Sequence, residues 1–196
     1  RVLRVGAGLL VGAFGCGKSA VAGSGYGAVP LGDGPACAPS TPDALGPFYL
    51  HGAPREAVLA QGVHGPRIHL RGIIVGDDCV SARAGYGVDV WHADAEGAYH
   101  MDGEQAFLYR GLLQTDADGR FEIETIRPGN YALGRSAMRP AHYHFRIYAT
   151  DGAEVLTTQF YFADDPYLAA EDGCQQPTCN SHDPARHLSP EVGDGG

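Results

Sequence analysis

Turn signals recur at short intervals along the middle of this chain, and they limit what it can fold into. Gly76-Asp77-Asp78, Asp94–Gly97, Asp116–Gly119, Pro128-Gly129-Asn130 and Asp151-Gly152 are all residue types that favour tight turns. Between them the apolar residues alternate. Ile68, Leu70, Gly72 and Ile74 share one face of a strand. Val88, Val90 and His92 alternate with Asp89 and Trp91, and Phe121, Ile123 and Thr125 repeat the pattern. Phe107–Leu113, His142–Ala149 and Val155–Phe162 complete the set. No stretch between the turns carries a convincing helical period, and a content of 29 Gly and 13 Pro suits short strands rather than long helices. The expected fold is all-β, an antiparallel β-sandwich.

At 196 residues the chain suits one domain with tails. Residues 1–40 read as an export leader and a flexible Gly/Pro-rich tether, residues 41–165 as the β-sandwich, and residues 166–196 as a C-terminal loop and tail. Arg1 and Arg4, then the apolar run Val5–Phe14, then small residues around Cys16, follow the order of an export signal. Cys16 is a candidate lipid-anchor site, though Phe14 fits that motif poorly. The other four of the five cysteines, Cys37, Cys79, Cys174 and Cys179, form an even set suited to two disulfides in an oxidising compartment. Gly12–Ser19 matches the phosphate-loop pattern letter for letter, but the Gly/Pro/Ala/Ser-rich stretch after it is no helix, so it carries no nucleotide site. With 14 basic against 23 acidic side chains the net charge is −9, which argues against nucleic acid as a partner. No apolar run is long enough to span a membrane.

Chemistry gathers on successive β elements. Tyr99 follows the turn after the Trp91 strand, and Tyr131 follows the Pro128 turn. Arg139 precedes His142 and His144, which an extended chain projects to one face, and Gln159 lies on the next strand. Two imidazoles on one strand face are half of a metal site. Tyrosine joins histidine most naturally around a hard trivalent cation, which strips the phenol proton and is neutralised by two phenolates and a hydroxide. Singly, each of these residues is more often packed or solvated than functional, so the case rests on their arriving together.

The motifs resemble a known family. Leu45-Gly-Pro-Phe-Tyr49, Val88-Asp-Val-Trp-His-Ala-Asp-Ala-Glu-Gly-Ala-Tyr99, Arg110-Gly-Leu-Leu-Gln-Thr-Asp-Ala-Asp-Gly119, Thr125-Ile-Arg-Pro-Gly-Asn-Tyr131, Arg139-Pro-Ala-His-Tyr-His144 and Thr157-Thr-Gln-Phe-Tyr161 are similar, in order, to those of the intradiol ring-cleavage dioxygenases. The Thr125 and Arg139 motifs look closest to the protocatechuate 3,4-dioxygenase branch. The resemblance implies a prealbumin-like β-sandwich and non-haem Fe(III) held by Tyr99, Tyr131, His142 and His144. It implies Arg139 and Gln159 facing the substrate ring, and Tyr131 as the phenolate that a chelating catechol displaces. The implied reaction uses O₂ to split a catecholic ring between its hydroxyls, giving a muconate-type diacid. A fixed arginine there would stabilise the carbanion-like ring that O₂ attacks.

Departures from the family pattern qualify the substrate. Ala132-Leu133 stands where protocatechuate enzymes carry Pro and an aromatic residue, and Gly134–Met138 is small and flexible enough to admit a bulkier catechol. The leader likens the chain to exported single-domain relatives. Oligomeric state is open, with a homo-oligomer allowed. The competing reading is a non-catalytic β-sandwich binding module sharing the fold.

Overall fold

The computed structural model describes residues 2–9, 39–174 and 177–192. Cys16, Cys37, the whole Gly12–Ser19 phosphate-loop pattern and most of the tether lie outside the described residues. Eleven strands are described: β1 (Val2–Leu9), β2 (Arg67–Val75), β3 (Gly87–Trp91), β4 (Arg110–Gln114), β5 (Arg120–Ile126), β6 (Tyr131–Leu133), β7 (Ala137–Arg139), β8 (His142–Tyr148), β9 (Glu154–Phe162), β10 (His187–Leu188) and β11 (Glu191–Val192). One sheet runs β11-β1-β2-β5, a second β10-β9-β8-β3-β4, and β6-β7 is a small separate hairpin. All pairings are antiparallel except β1 with β11 and β9 with β10. The all-β expectation holds. Among the described residues no helix is long and apolar enough to cross a membrane.

Alternation builds the interior. Ile68, Leu70, Ile74, Phe121 and Ile123 from the first sheet meet Val88, Val90, Tyr143, Phe145, Ile147, Phe160 and Phe162 from the second in one buried cluster. Sheet-on-sheet packing of alternate residues is what a sandwich requires. Burying one such aromatic or aliphatic side chain stabilises the fold by about 1.5–3 kcal/mol.

The structure adds to the strand expectations in three places. Asp102–Tyr109 folds into turns, with Ala106 N–H on the Gly103 carbonyl and Leu108 N–H on the Gln105 carbonyl, so the expected Phe107–Leu113 strand begins only at Arg110. The β6-β7 hairpin occupies the stretch read as small and flexible. Val2–Leu9, read as part of the leader, pairs along its whole length with Ile68–Val75 of β2. An apolar stretch without polar alternation suits either role, and here it covers the edge of β2.

The segment after β9 is tied back to the sandwich. Cys174 and Cys179 are joined, and Cys79 is also disulfide-bonded. Arg186, 1% exposed, pairs with Asp43, and β10 lies parallel to β9.

Candidate metal centre

The site follows from the pleat of β8. Tyr143, Phe145 and Ile147 point into the sandwich, so His142 and His144 point to the outer face of the second sheet. An outer face is ordinarily wet and polar. Here it is covered, and both imidazoles are 2% exposed. The segment around Asp43 lies over β9: Asp43 N–H bonds to the Thr157 carbonyl at 2.9 Å, and the Gln159 amide donates to the Ala44 carbonyl at 2.6 Å.

His142 Nδ1 donates to the Pro140 carbonyl at 2.6 Å, which leaves Nε2 as the lone-pair nitrogen. That Nε2 faces the Nε2 of His144 at 3.0 Å, with the Tyr99 hydroxyl at 3.4 Å. The Trp91 indole stacks on His144, centroids 4.6 Å apart and planes 7° from parallel. Burial pushes His142 down to about 3 and His144 well below its ordinary 6.5, so both rings are neutral at physiological pH. Two neutral imidazoles that aim nitrogens at one another need a proton or a cation between them.

The two tyrosines meet because their turns touch. Asp94 Oδ1 accepts from Glu96 and Ala98 N–H at 3.0 and 2.7 Å, and the Asp94 carbonyl accepts from Gly129 N–H at 2.8 Å. Gly97 has a φ of +86°, and a Cβ there would run into the Asn130 carbonyl. The Tyr99 and Tyr131 turns are thus packed backbone to backbone. Their rings lie 5.6 Å apart edge-on, Tyr131 is 5.8 Å from His142, and Tyr99 is 6.1 Å from His144. Phe48 stacks on Tyr99 at 4.4 Å. Burial raises the pKa of both phenols. They keep their protons unless a cation compensates.

Arg139 opposes Tyr131 in the β6-β7 register, and its guanidinium also lowers the Tyr131 phenol against the effect of burial. Its Nη2 donates to Gln159 Oε1 at 2.9 Å and to the Tyr161 hydroxyl at 3.2 Å. Gln159 pairs with His144 and Tyr161 with His142 across β8-β9. A cavity of about 630 Å³ opens beside this group, lined by Leu45, Pro47, Tyr131, Leu133 and Arg139 among others. A single aromatic ring fits it.

A family model described as "Dioxygenase" matches residues 45–178. The chain belongs to the intradiol dioxygenase family. It is 35% identical over 158 residues to a chlorocatechol 1,2-dioxygenase of Pseudomonas putida, covering 69% of this chain and 57% of that protein. It is 37% identical over 134 residues to the protocatechuate 3,4-dioxygenase beta chain of Burkholderia cepacia, covering 64% of this chain and 56% of that one. The dioxygenase domain of a dioxygenase carbohydrate-binding protein fusion from Streptomyces sp. SirexAA-E superposes with a TM-score of 0.58 at 28% identity, covering 79% of this chain and 97% of that one. This dioxygenase-family chain spans about half the length of the curated relatives it matches.

The residue set fits the iron that the family implies. Among the described residues no cluster of three or more His, Cys, Asp or Glu could hold a metal. Tyr99, Tyr131, His142 and His144 could, because two imidazole nitrogens converge beside two phenols whose protons a hard cation would displace. All six residues singled out in the sequence lie in one place. Sequence reasoning passed over four others. Tyr161 stands two residues from Gln159 on the same face, and period two alone could have found it. Trp91 and Phe48 stand inside the quoted motifs with no role assigned to them, and Asp172 arrives from the segment after β9, where no motif marks it.

Proposed function

We propose that this intradiol dioxygenase family member cleaves a catecholic ring between its hydroxyls, using non-haem Fe(III) and O₂ and giving a muconate-type diacid. The observation that carries the reading is the convergence of the His142 and His144 Nε2 atoms at 3.0 Å beside Tyr99 and Tyr131. Tyr99, Tyr131, His142 and His144 are the proposed ligands. The names of the relatives, chlorocatechol 1,2-dioxygenase and protocatechuate 3,4-dioxygenase, support a catechol as the substrate class.

When bound, the ferric ion supplies Lewis acidity and a template that joins catechol and O₂ without an outside reductant. The chain supplies the rest. Tyr131, partly exposed and beside Arg139, would hold the metal as its phenolate, and that phenolate oxygen would be the base for one of the protons a catechol gives up. Tyr99, stacked on Phe48, is held in place. Arg139, fixed by Gln159 and Tyr161, places positive charge where the ring becomes carbanion-like. Trp91 and Phe48 exclude water from the imidazole and phenol faces.

Oxygen uptake and product absorbance on a panel of catechol, chlorocatechol, hydroxyquinol and 3,4-dihydroxybenzoate test the activity. The expected result is stoichiometric oxygen uptake with a muconate-type product from at least one of them. An iron-loaded protein inert toward all of them would return the chain to the reading of a binding module.

A further inference from the structure

The segment following β9 contributes a buried charge that the proposed chemistry has not yet used. Arg139 and Asp172 are each 3% exposed, and Arg139 Nε lies 2.9 Å from Asp172 Oδ1. The N–H is not aligned for a hydrogen bond, so the contact is one of charge. A buried guanidinium without a counter-charge is costly, so Asp172 decides where this one can sit. Asp172 is itself fastened. Its Oδ1 accepts from Cys174 N–H at 2.9 Å, and Gly173 N–H bonds to the Met138 carbonyl at 2.6 Å, one residue before Arg139. The Cys174–Cys179 disulfide then closes the loop, and Asn180 N–H reaches Asp43 Oδ2 at 3.3 Å. Cys174 and Thr178 line the cavity with Tyr131 and Arg139.

We propose that Asp172 is a positioning residue for Arg139, and that the Cys174–Cys179 disulfide fixes the segment that carries it. This rests on the dioxygenase reading above. Asp172 takes the Nε side of the guanidinium, so Nη2 is turned to Gln159, Tyr161 and the substrate. Without that charge the guanidinium can rotate toward the cavity, and the cation no longer stands where charge develops.

The test is steady-state turnover of the best catechol by iron-loaded Asp172→Asn, Asp172→Glu and Cys174→Ser/Cys179→Ser proteins beside wild type. Asp172→Asn is expected to lose about 10–100-fold in kcat with little change in KM, at unchanged iron content and visible spectrum. Asp172→Glu is expected to recover most of the loss. The double cysteine variant is expected to lose a smaller factor in kcat, again with iron retained. Wild-type kcat in Asp172→Asn would overturn the proposal alone, as would an iron loss that Glu does not repair. If Asp172→Asn fails to fold, the cysteine variant decides: full kcat there overturns the proposal, and reduced kcat at full iron supports it. A wild-type protein without iron or turnover would overturn the dioxygenase reading and this inference together.

Discussion

At the scale of single residues, the site is an outer sheet face turned dry. His142 and His144 lie where β8 would ordinarily meet water, and covering segments remove that water. In Tyr99→Phe or His142→Ala one donor is gone, and each variant is expected to lose most of its iron and activity, measured by metal analysis and oxygen uptake. Full retention in both would sink the assignment of ligands. Arg139→Ala should behave differently, keeping its iron while kcat falls about 100-fold or more, the scale seen when a preorganised charge is removed. The sequence made His142 and His144 legible because alternation is local. Trp91, which stacks on His144, comes from β3, and its neighbour across the sheet depends on register rather than on any nearby residue.

At the scale of elements, the Tyr99 and Tyr131 turns act as a single device. A Gly97→Ala change meets the Asn130 carbonyl and a φ of +86°, so it must push the two turns apart. We expect a melting temperature lower by several degrees and weakened iron retention, seen together in calorimetry and metal analysis of one preparation. Each turn was visible in the sequence, but not that they would touch. The β6-β7 hairpin was not legible, because three-residue strands carry too little periodicity. β1 was ambiguous for another reason, since an apolar run after an arginine fits a leader and an edge strand alike. It lies on the sheet opposite the site. Deleting residues 1–9 should therefore lower thermal stability by exposing the β2 edge while leaving kcat within about twofold of the full chain. A large kcat loss at normal iron content would contradict this placement.

At the scale of the molecule, the sandwich was legible because its period-two strands and turns are local signals. The cover over the site was not. Asp43 pairs with Arg186 and Asp172 with Arg139 across long stretches of chain, and that pairing belongs to tertiary structure alone. Burial also gives the metal-free protein a pH dependence. His92 donates from Nδ1 to the Ala93 carbonyl and accepts at Nε2 from the Thr125 hydroxyl, and burial pushes it from 6.5 down to about 4. Its folded pKa lies below its unfolded one, so below pH 6.5 the unfolded chain binds more protons. The stability it contributes is present above pH 6.5 and is lost as pH falls toward 4, by up to about 1.4 kcal/mol per pH unit. His142 and His144 act in the same direction. Urea midpoints should fall from pH 7 to pH 4.5, and less so in His92→Gln; a flat profile would show that these rings are not buried neutral.

Two phenols and two imidazoles of this chain are proposed to hold ferric iron. Metal analysis with a visible spectrum, on protein produced with ample iron, tests this most directly. About one iron per chain is expected, with a phenolate-to-iron charge-transfer band that weakens in Tyr99→Phe and shifts when a catechol is added. A colourless protein without iron would contradict it.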